Sequence, residues 1–211
     1  ADPGLGEELN AVFGLLTGYS ASAKLDRLLV SPFQMRRRFL ELIDREAEHA
    51  RAGRGGHIRA QMNGLSDRRI VAALYRASQA GVRIEMAVRE ICRVRPGLPG
   101  ISENIRVVSL LGRLLQHSRI FYFGNAGEPE YYIGSADWRP RNLLRRVEVV
   151  TPVDEPEHRA ELDRMLTTIL EHPQAWELRA DGAYVRGDEV IGGVGPHERR
   201  GRVVERERRT A

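Results

Sequence analysis

Residues 82–89 constrain the fold more tightly than any other stretch. Val82, Ile84, Met86 and Val88 alternate with Arg83, Glu85, Ala87 and Arg89, the period-two pattern of a strand with one buried face. Just upstream, Ser66 or Asp67 is placed to cap a helix. Its Ile70, Val71, Leu74, Tyr75 and Ala77 fall near one face, and Gly81 closes it. Before that helix, residues 57–63 read as a weaker strand. Strand, helix and strand in succession predict a βαβ unit with a parallel pair, and hence a sheet with helices packed on it.

The rest of the chain supplies elements to complete such a sheet. Residues 5–17 and 32–52 carry apolar positions at helical spacing, with Ser31 as a cap for the second helix and Gly53 as its stop. Residues 25–31 between them suit a short strand. A Pro/Gly-containing loop spans 90–104, and loops of that length inside a compact domain are more often functional than not. A strand follows at 105–109, then a short helical turn over 109–116. Residues 119–124 and 131–135 read as a hairpin, 146–153 as a further strand, and 176–186 as an edge hairpin. Asp154 caps a helix with Pro156 in its first turn and Leu162, Met165, Leu166, Ile169 and Leu170 along one stripe. From residue 187 the chain is rich in charge and poor in core residues, which predicts a disordered tail. No internal repeat is visible.

With 42% hydrophobic and 29% charged residues in 211, the bulk is expected to fold as an α/β (α+β) globule, a mixed sheet flanked by helices. No apolar run reaches the ~20 residues that cross a bilayer, so no transmembrane segment is expected. The start lacks the features of a signal peptide, and the one cysteine, Cys92, reads as a small hydrophobe; both favour the cytoplasm, with membrane association left open. The first residue is Ala, not Met, so a fragment or processed chain is expected. Basic charge is almost all arginine, with Lys24 the sole lysine. Residues 81–146 hold eleven arginines against six acids, a surplus of five in a chain whose net charge is +4. Arginine grips phosphate with a planar fork, so this segment suits an anionic ligand. Arginine-rich composition with solvated ion pairs is the competing explanation, and charge pattern alone favours it.

Residues 117–149 carry the chemistry. His117, Arg119, Phe121 and Phe123 fall on one face if 117–123 is a strand, which points a histidine and a cation the same way. Gly134 and Ser135 follow, then Asp137, Arg139, Arg141 and Asn142. A histidine can move protons near neutral pH, an arginine neutralises phosphate oxygens, and a Gly-Ser turn lets backbone approach closely. Taken without further context, His117 is as readily a core histidine, Arg89 a strand-end residue, and Arg145 or Arg146 a partner of Glu148. His49, His57, His158, His172 and His197 read as surface residues.

The segments HSRIFYF (117–123) and YIGSADWRPRN (132–142) resemble the histidine–cation motif of the phospholipase D-like fold, with Arg119 in place of lysine. More specifically, the chain resembles the C-terminal half of the bacterial polyphosphate kinases (polyphosphate:ADP phosphotransferases). LIDREAEHARAG (42–53), ALYRASQAGVRI (73–84), RPGLPGISENIRV (95–107) and RRVEVVTPV (145–153) match in the same order, and the resemblance runs over about residues 1–185. It implies a phospholipase D-like domain over 24–186. Residues 1–23 would be the trailing helix of a preceding catalytic domain, and 187–211 a charged tail.

The resemblance also implies an activity. Such kinases move the terminal phosphate of ATP to polyphosphate through a phosphohistidine, which here would lie in an upstream half before Ala1. His117 would face it as a catalytic residue, and Arg89 with His117 would bind the ATP phosphates. Arg119, Arg141, Arg145 and Arg146 are candidates for a polyphosphate path from their spacing alone. Expected ligands are ATP or ADP, polyphosphate and Mg2+, the metal's ligands lying outside this chain and no metal site within it. A homo-oligomer is expected of the full-length enzyme, and no nucleic acid. Glu90 and Leu144 depart from the family pattern, where glycine and a polar or acidic residue are usual. A non-catalytic polyanion-binding module and a phospholipase D-type phosphodiesterase remain the alternatives.

Overall fold

The computed structural model describes residues 3–20, 24–112 and 115–191. Its centre is the expected βαβ unit. Strands β2 (His57–Met62) and β3 (Arg83–Val88) run parallel, His57 opposite Arg83 and Met62 opposite Val88, with helix α3 (Arg68–Gln79) crossing between them. Asp67 is the cap: its Oδ1 accepts from the backbone N–H of Arg69 and Ile70. Strand β4 (Ile105–Ser109) extends the parallel set beside β3.

All other pairings between strands among the described residues are antiparallel, and Leu65 makes isolated parallel bridges to Cys92 and Trp138. Strand β5 (Ile120–Phe123) lies on the far side of β2 and forms a hairpin with β6 (Glu130–Gly134). Beyond β6 come β7 (Glu148–Val153) and β1 (Leu29–Ser31). On the other edge β8 (Trp176–Leu178), β9 (Tyr184–Arg186) and β10 (Glu189–Ile191) follow β4. The resulting order is β1-β7-β6-β5-β2-β3-β4-β8-β9-β10.

One face of this mixed sheet takes α3 and α2 (Met35–Arg51), and the short α4 (Pro140–Leu144) packs against α2 and β1. The other face takes α5 (Pro156–Leu170). Phe39, Ile43, Ile70 and Leu74 from the first pair of helices pack with Ile58, Met86, Val88, Phe121 and Phe123. Phe39 lies 4.8 Å from Phe121 and 5.5 Å from Trp138, ring centre to ring centre. On the α5 side Ala87 and Val108 pack against Ile169 and Leu170. That second layer is why β3 is buried on both faces toward its end, although its sequence alternates.

The charged Arg59 of β2 also points to the α5 side. It is 8% exposed and donates to Asp163 Oδ1 at 2.6 Å and to Thr167 Oγ1 at 2.7 Å. A buried cation is tolerated because its charge is paired and its N–H groups are occupied.

Helix α1 (Pro3–Leu16) buries only Val12, against Leu28 and Val30. Glu8 ties it down by accepting from the backbone N–H of Asp26, Arg27 and Leu28. Phe13 and Leu16 remain exposed.

Several local expectations are corrected. Ser31 is a strand residue opposite Glu148, not a cap. Helix α2 starts at Met35, after Gln34 has folded back to bond Val30 N and Leu28 O. Asp154 does not cap α5, since Glu155 holds that position without a side-chain bond; Asp154 pairs with Arg159 and Arg27 instead. The helical turn expected over 109–116 is absent from its described part, and 113–114 lie outside the described residues. His57 is half-buried rather than on the surface, with Nε2 3.0 Å from Glu85 Oε2. The charged stretch from 187 begins inside the sheet, because β10 pairs with β9 and buries Ile191. Residues 192–211 lie outside the described residues. Among the described residues no helix is long and apolar enough to cross a membrane.

Candidate phosphate-binding site

Strand directions bring the motif together. Because β2 and β3 are parallel, their C-terminal ends emerge side by side and deliver Asn63 and Arg89 to one edge. Because β5 is antiparallel to β2, its beginning sits at that same edge, with Ile120 opposite Gln61. The end of β6 follows, Ile133 opposite Ile120, and leads into Ser135–Arg139. Four segments distant in sequence thus converge on one end of the sheet.

Asn63 stands at the centre and is 4% exposed. Its Oδ1 accepts from Arg89 Nε at 2.9 Å, and its Nδ2 lies 3.0 Å from His117 Nδ1. Its backbone is held as well: Asn63 N donates to Asp137 Oδ1 at 2.8 Å, and Glu90 N donates to Asn63 O at 2.7 Å. Sequence reasoning missed this residue. An Asn before Gly64 at a strand end reads as an ordinary turn residue, and only the neighbouring strands reveal what its amide reaches.

His117 and Arg119 precede β5 rather than lying on it, so the strand alternation expected for them does not hold. Arg119, expected along an anion path, is buried and committed. Its side chain is 10% exposed, Nε donates to Asp137 Oδ1 at 3.0 Å, and Nη1 donates to the His117 carbonyl at 2.6 Å. Asp137 is therefore neutralised and anchors both the histidine segment and Asn63.

Two further motif residues are also supports. Ser135 and Asn142 both donate to the buried carboxylate of Glu148, so Glu148 is not the partner of Arg145 or Arg146. Gly134 is required by close approach, since a Cβ there would sit 2.4 Å from Val149 O.

Glu90, one of the two departures, bridges two cations. Its Oε1 is 3.0 Å from Arg89 Nη2, and its Oε2 is 3.5 Å from Arg139 Nη1. The stem of Arg139 lies over Gly64, where a Cβ would meet its Cδ at 2.7 Å. Beyond Arg139 a cavity of about 420 Å3 is lined by Ser66, Arg139, Pro140, Arg141 and Arg145. Among the described residues no carboxylate lies within ion-pair distance of Arg141, Arg145 or Arg146, and all three are exposed. Arg146 does not line this cavity.

A larger cavity, about 720 Å3, opens on the α5 side between Gln61, Leu110, Gln116, Asp163 and Thr167. A narrow crevice lined by Gln61 and Gln116 connects its wall with Arg89. The larger volume has mixed charge on its wall, with Glu161, Asp163 and Arg164, whereas His117 and the arginine cluster gather at the strand ends. Burial pushes the Cys92 thiol up to about 12, which leaves it unreactive at neutral pH.

No group of three or more His, Cys, Asp or Glu among the described residues could hold a metal. The acids at the site, Glu90 and Asp137, are each taken by arginines.

A mixed sheet with helices on both faces and a histidine segment at its strand ends defines a phospholipase D-like fold. The solved phospholipase D family member Nuc from Salmonella typhimurium agrees, with a TM-score of 0.54 and 18% identity over 72% of this chain and 97% of that one. The family is closer. The family model for polyphosphate kinase C-terminal domain 2 matches residues 28–191, and the chain belongs to that family. It is 54% identical over 181 residues to the polyphosphate kinase of Thermosynechococcus vestitus, covering 85% of this chain and 25% of that protein. It is 50% identical over 190 residues to that of Dictyostelium discoideum, covering 90% and 18%. The crystal structure of polyphosphate kinase from Porphyromonas gingivalis superposes with a TM-score of 0.81 at 38% identity, covering 85% of this chain and 28% of that one. The chain spans about a quarter or less of the length of these relatives and corresponds to their C-terminal part.

Proposed function

We propose that this chain is one wall of a phosphoryl-transfer site that moves the terminal phosphate of ATP onto polyphosphate. The observation that carries it is the convergence of Arg89 and His117, 28 positions apart in sequence, on the single amide of Asn63. Phosphoryl transfer needs charge neutralisation and positioning more than elaborate covalent chemistry. Arg89 supplies a fork of N–H donors for non-bridging oxygens. His117 supplies a ring N–H for an oxygen of the transferring or departing phosphate, a role worth about 10²–10⁴-fold. Arg139, Arg141 and Arg145 around their cavity, with Arg146 beside them, form the polyphosphate path, and Arg119 positions the histidine segment. Mg2+, when bound, neutralises phosphate charge, its coordination coming from the substrates and from outside this chain. The phosphorylated histidine belongs to an upstream half that continues from residues 1–23, so the isolated chain makes no polymer. The setting is cytoplasmic, with the assembled enzyme oligomeric.

Half a site should still hold tripolyphosphate weakly, and added salt should weaken that binding steeply. In calorimetric titration Arg89→Ala is expected to cost about 1.5–3 kcal/mol of binding, the scale of a charge-assisted hydrogen bond. If Arg89→Ala and His117→Ala both bind like the parent at low and high salt, the site assignment is wrong. Polymer synthesis by the isolated chain would overturn the half-site reading.

A further inference from the structure

The geometry points to Asn63 as the residue that decides which nitrogen of His117 carries the proton. This inference rests on the reading of His117 as a phosphate donor and deepens it. An arginine Nε–H can only donate, so the Asn63 atom 2.9 Å from Arg89 Nε is the carbonyl oxygen Oδ1. The amide cannot be flipped without setting two donors against each other. Its NH2 group therefore faces His117 Nδ1 at 3.0 Å. An amide NH2 also only donates, so Nδ1 accepts, and the neutral ring carries its proton on Nε2.

Asn63 is well placed to enforce this. It is 4% exposed, its backbone is anchored to Asp137 and Glu90, and Arg89 locks its side chain. Among the described residues no group bonds His117 Nε2, and the histidine is exposed, so its Nε2–H faces open space. A histidine that accepts a phosphoryl group at Nε2 must present a lone pair there, with its proton on Nδ1 facing an acceptor. His117 is held the opposite way round. Asn63 is thus a positioning residue: it commits His117 to donating and withholds it from acting as the nucleophile.

The test is nitrogen NMR of the full 211-residue chain with 15N-labelled histidine, at about pH 8, where a free imidazole is mostly neutral. Loss of signals in His117→Gln identifies the ring. In the parent, Nδ1 should give the signal of a bare nitrogen and Nε2 that of a protonated one. In Asn63→Asp the carboxylate accepts, so Nδ1 should become protonated. In Asn63→Ala the constraint is gone, and both signals should move toward the average of the two tautomers. The alanine variant carries the test if the aspartate variant does not fold, as judged by the backbone amide spectrum. A protonated Nδ1 in the parent, or ring signals unchanged in the folded variants, overturns the inference. Addition of tripolyphosphate separates the two readings. If the tautomer is as expected but the Nε2–H signal does not respond to the ligand, the phosphate role of His117 falls and that of Asn63 stands. If the ligand shifts the ring but the variants do not, Asn63 falls and the phosphate site stands.

Discussion

Glu90 pairs with both Arg89 and Arg139, two of the cations proposed to meet phosphate. The carboxylate reaches both guanidinium groups, so an incoming anion must displace it. In the proposed site the acid would compete with a bound anion for these two cations. Glu90→Gln keeps the shape and removes the charge. It should tighten tripolyphosphate binding about fivefold, the roughly 1 kcal/mol scale of a partly exposed ion pair. Titration calorimetry checks this, and weaker binding by the variant would mean that Glu90 orders the arginines rather than competing with the ligand. At this scale His117 stood out within a matched segment and Arg89 at the end of the alternating strand, and the structure brings both to the amide of Asn63. Asn63 was not, since its partners come from β3 and from the segment before β5. Arg119 was misplaced because spacing cannot distinguish an arginine facing ligand from one spent on Asp137.

Among the elements, β10 departs most from expectation. Val190 and Ile191 are too few to register as a strand in a charged stretch, and they become one only because β9 offers an open edge. Ile191 is 5% exposed, and burying such a side chain contributes about 1.5–3 kcal/mol. A chain ending at Arg186 should therefore be less stable than one ending at Ile191 by about that amount in urea unfolding. Equal midpoints would show that β10 adds nothing. Helix α3 gives a second check, because Asp67 caps two N–H groups and also lies 3.8 Å from Arg36. Asp67→Ala should cost about 1–2 kcal/mol in the same assay. No change would mean that the helix start is held by packing alone. The βαβ unit and the β5–β6 hairpin were legible, their periodicity being strong and local. The start of α2 was not, because Gln34 and the pairing of β1 with β7 decide it.

For the molecule as a whole, acid sensitivity follows from groups at the opposite end of the central strands. Burial pushes the His57 imidazole down and outweighs the hydrogen bond it donates to Glu85, which would raise it. Burial pushes the Glu85 carboxyl up, but its bonds from Arg83 and His57 win and leave it below its usual value. A histidine lowered on folding is protonated first in the unfolded chain. Its contribution is therefore fully present above about 6.5 and is lost as pH falls through the folded value. Glu85 contributes in the same direction, present above about 4.5 and lost below it. Stability should thus decline as pH drops below about 6.5, and His57→Gln should flatten the first part of that decline in urea titrations across pH. A parent curve that instead rises on acidification would refute the assignment.

The parallel pair, the hairpin, the Arg-rich middle and the family were all present in the order of residues. Alternation, turn chemistry and matched segments are properties of neighbours along the chain. Only the tertiary structure decided which polar groups stay exposed at the strand ends and which face each other. That choice depends on strand order and direction: β5 antiparallel and β3 parallel to β2 set Arg89, Asn63 and His117 together, while Asp137 and Glu148 draw Arg119, Ser135 and Asn142 into the framework. A buried polar group must find a partner, and which partner is within reach is a matter of distance in space, not along the chain.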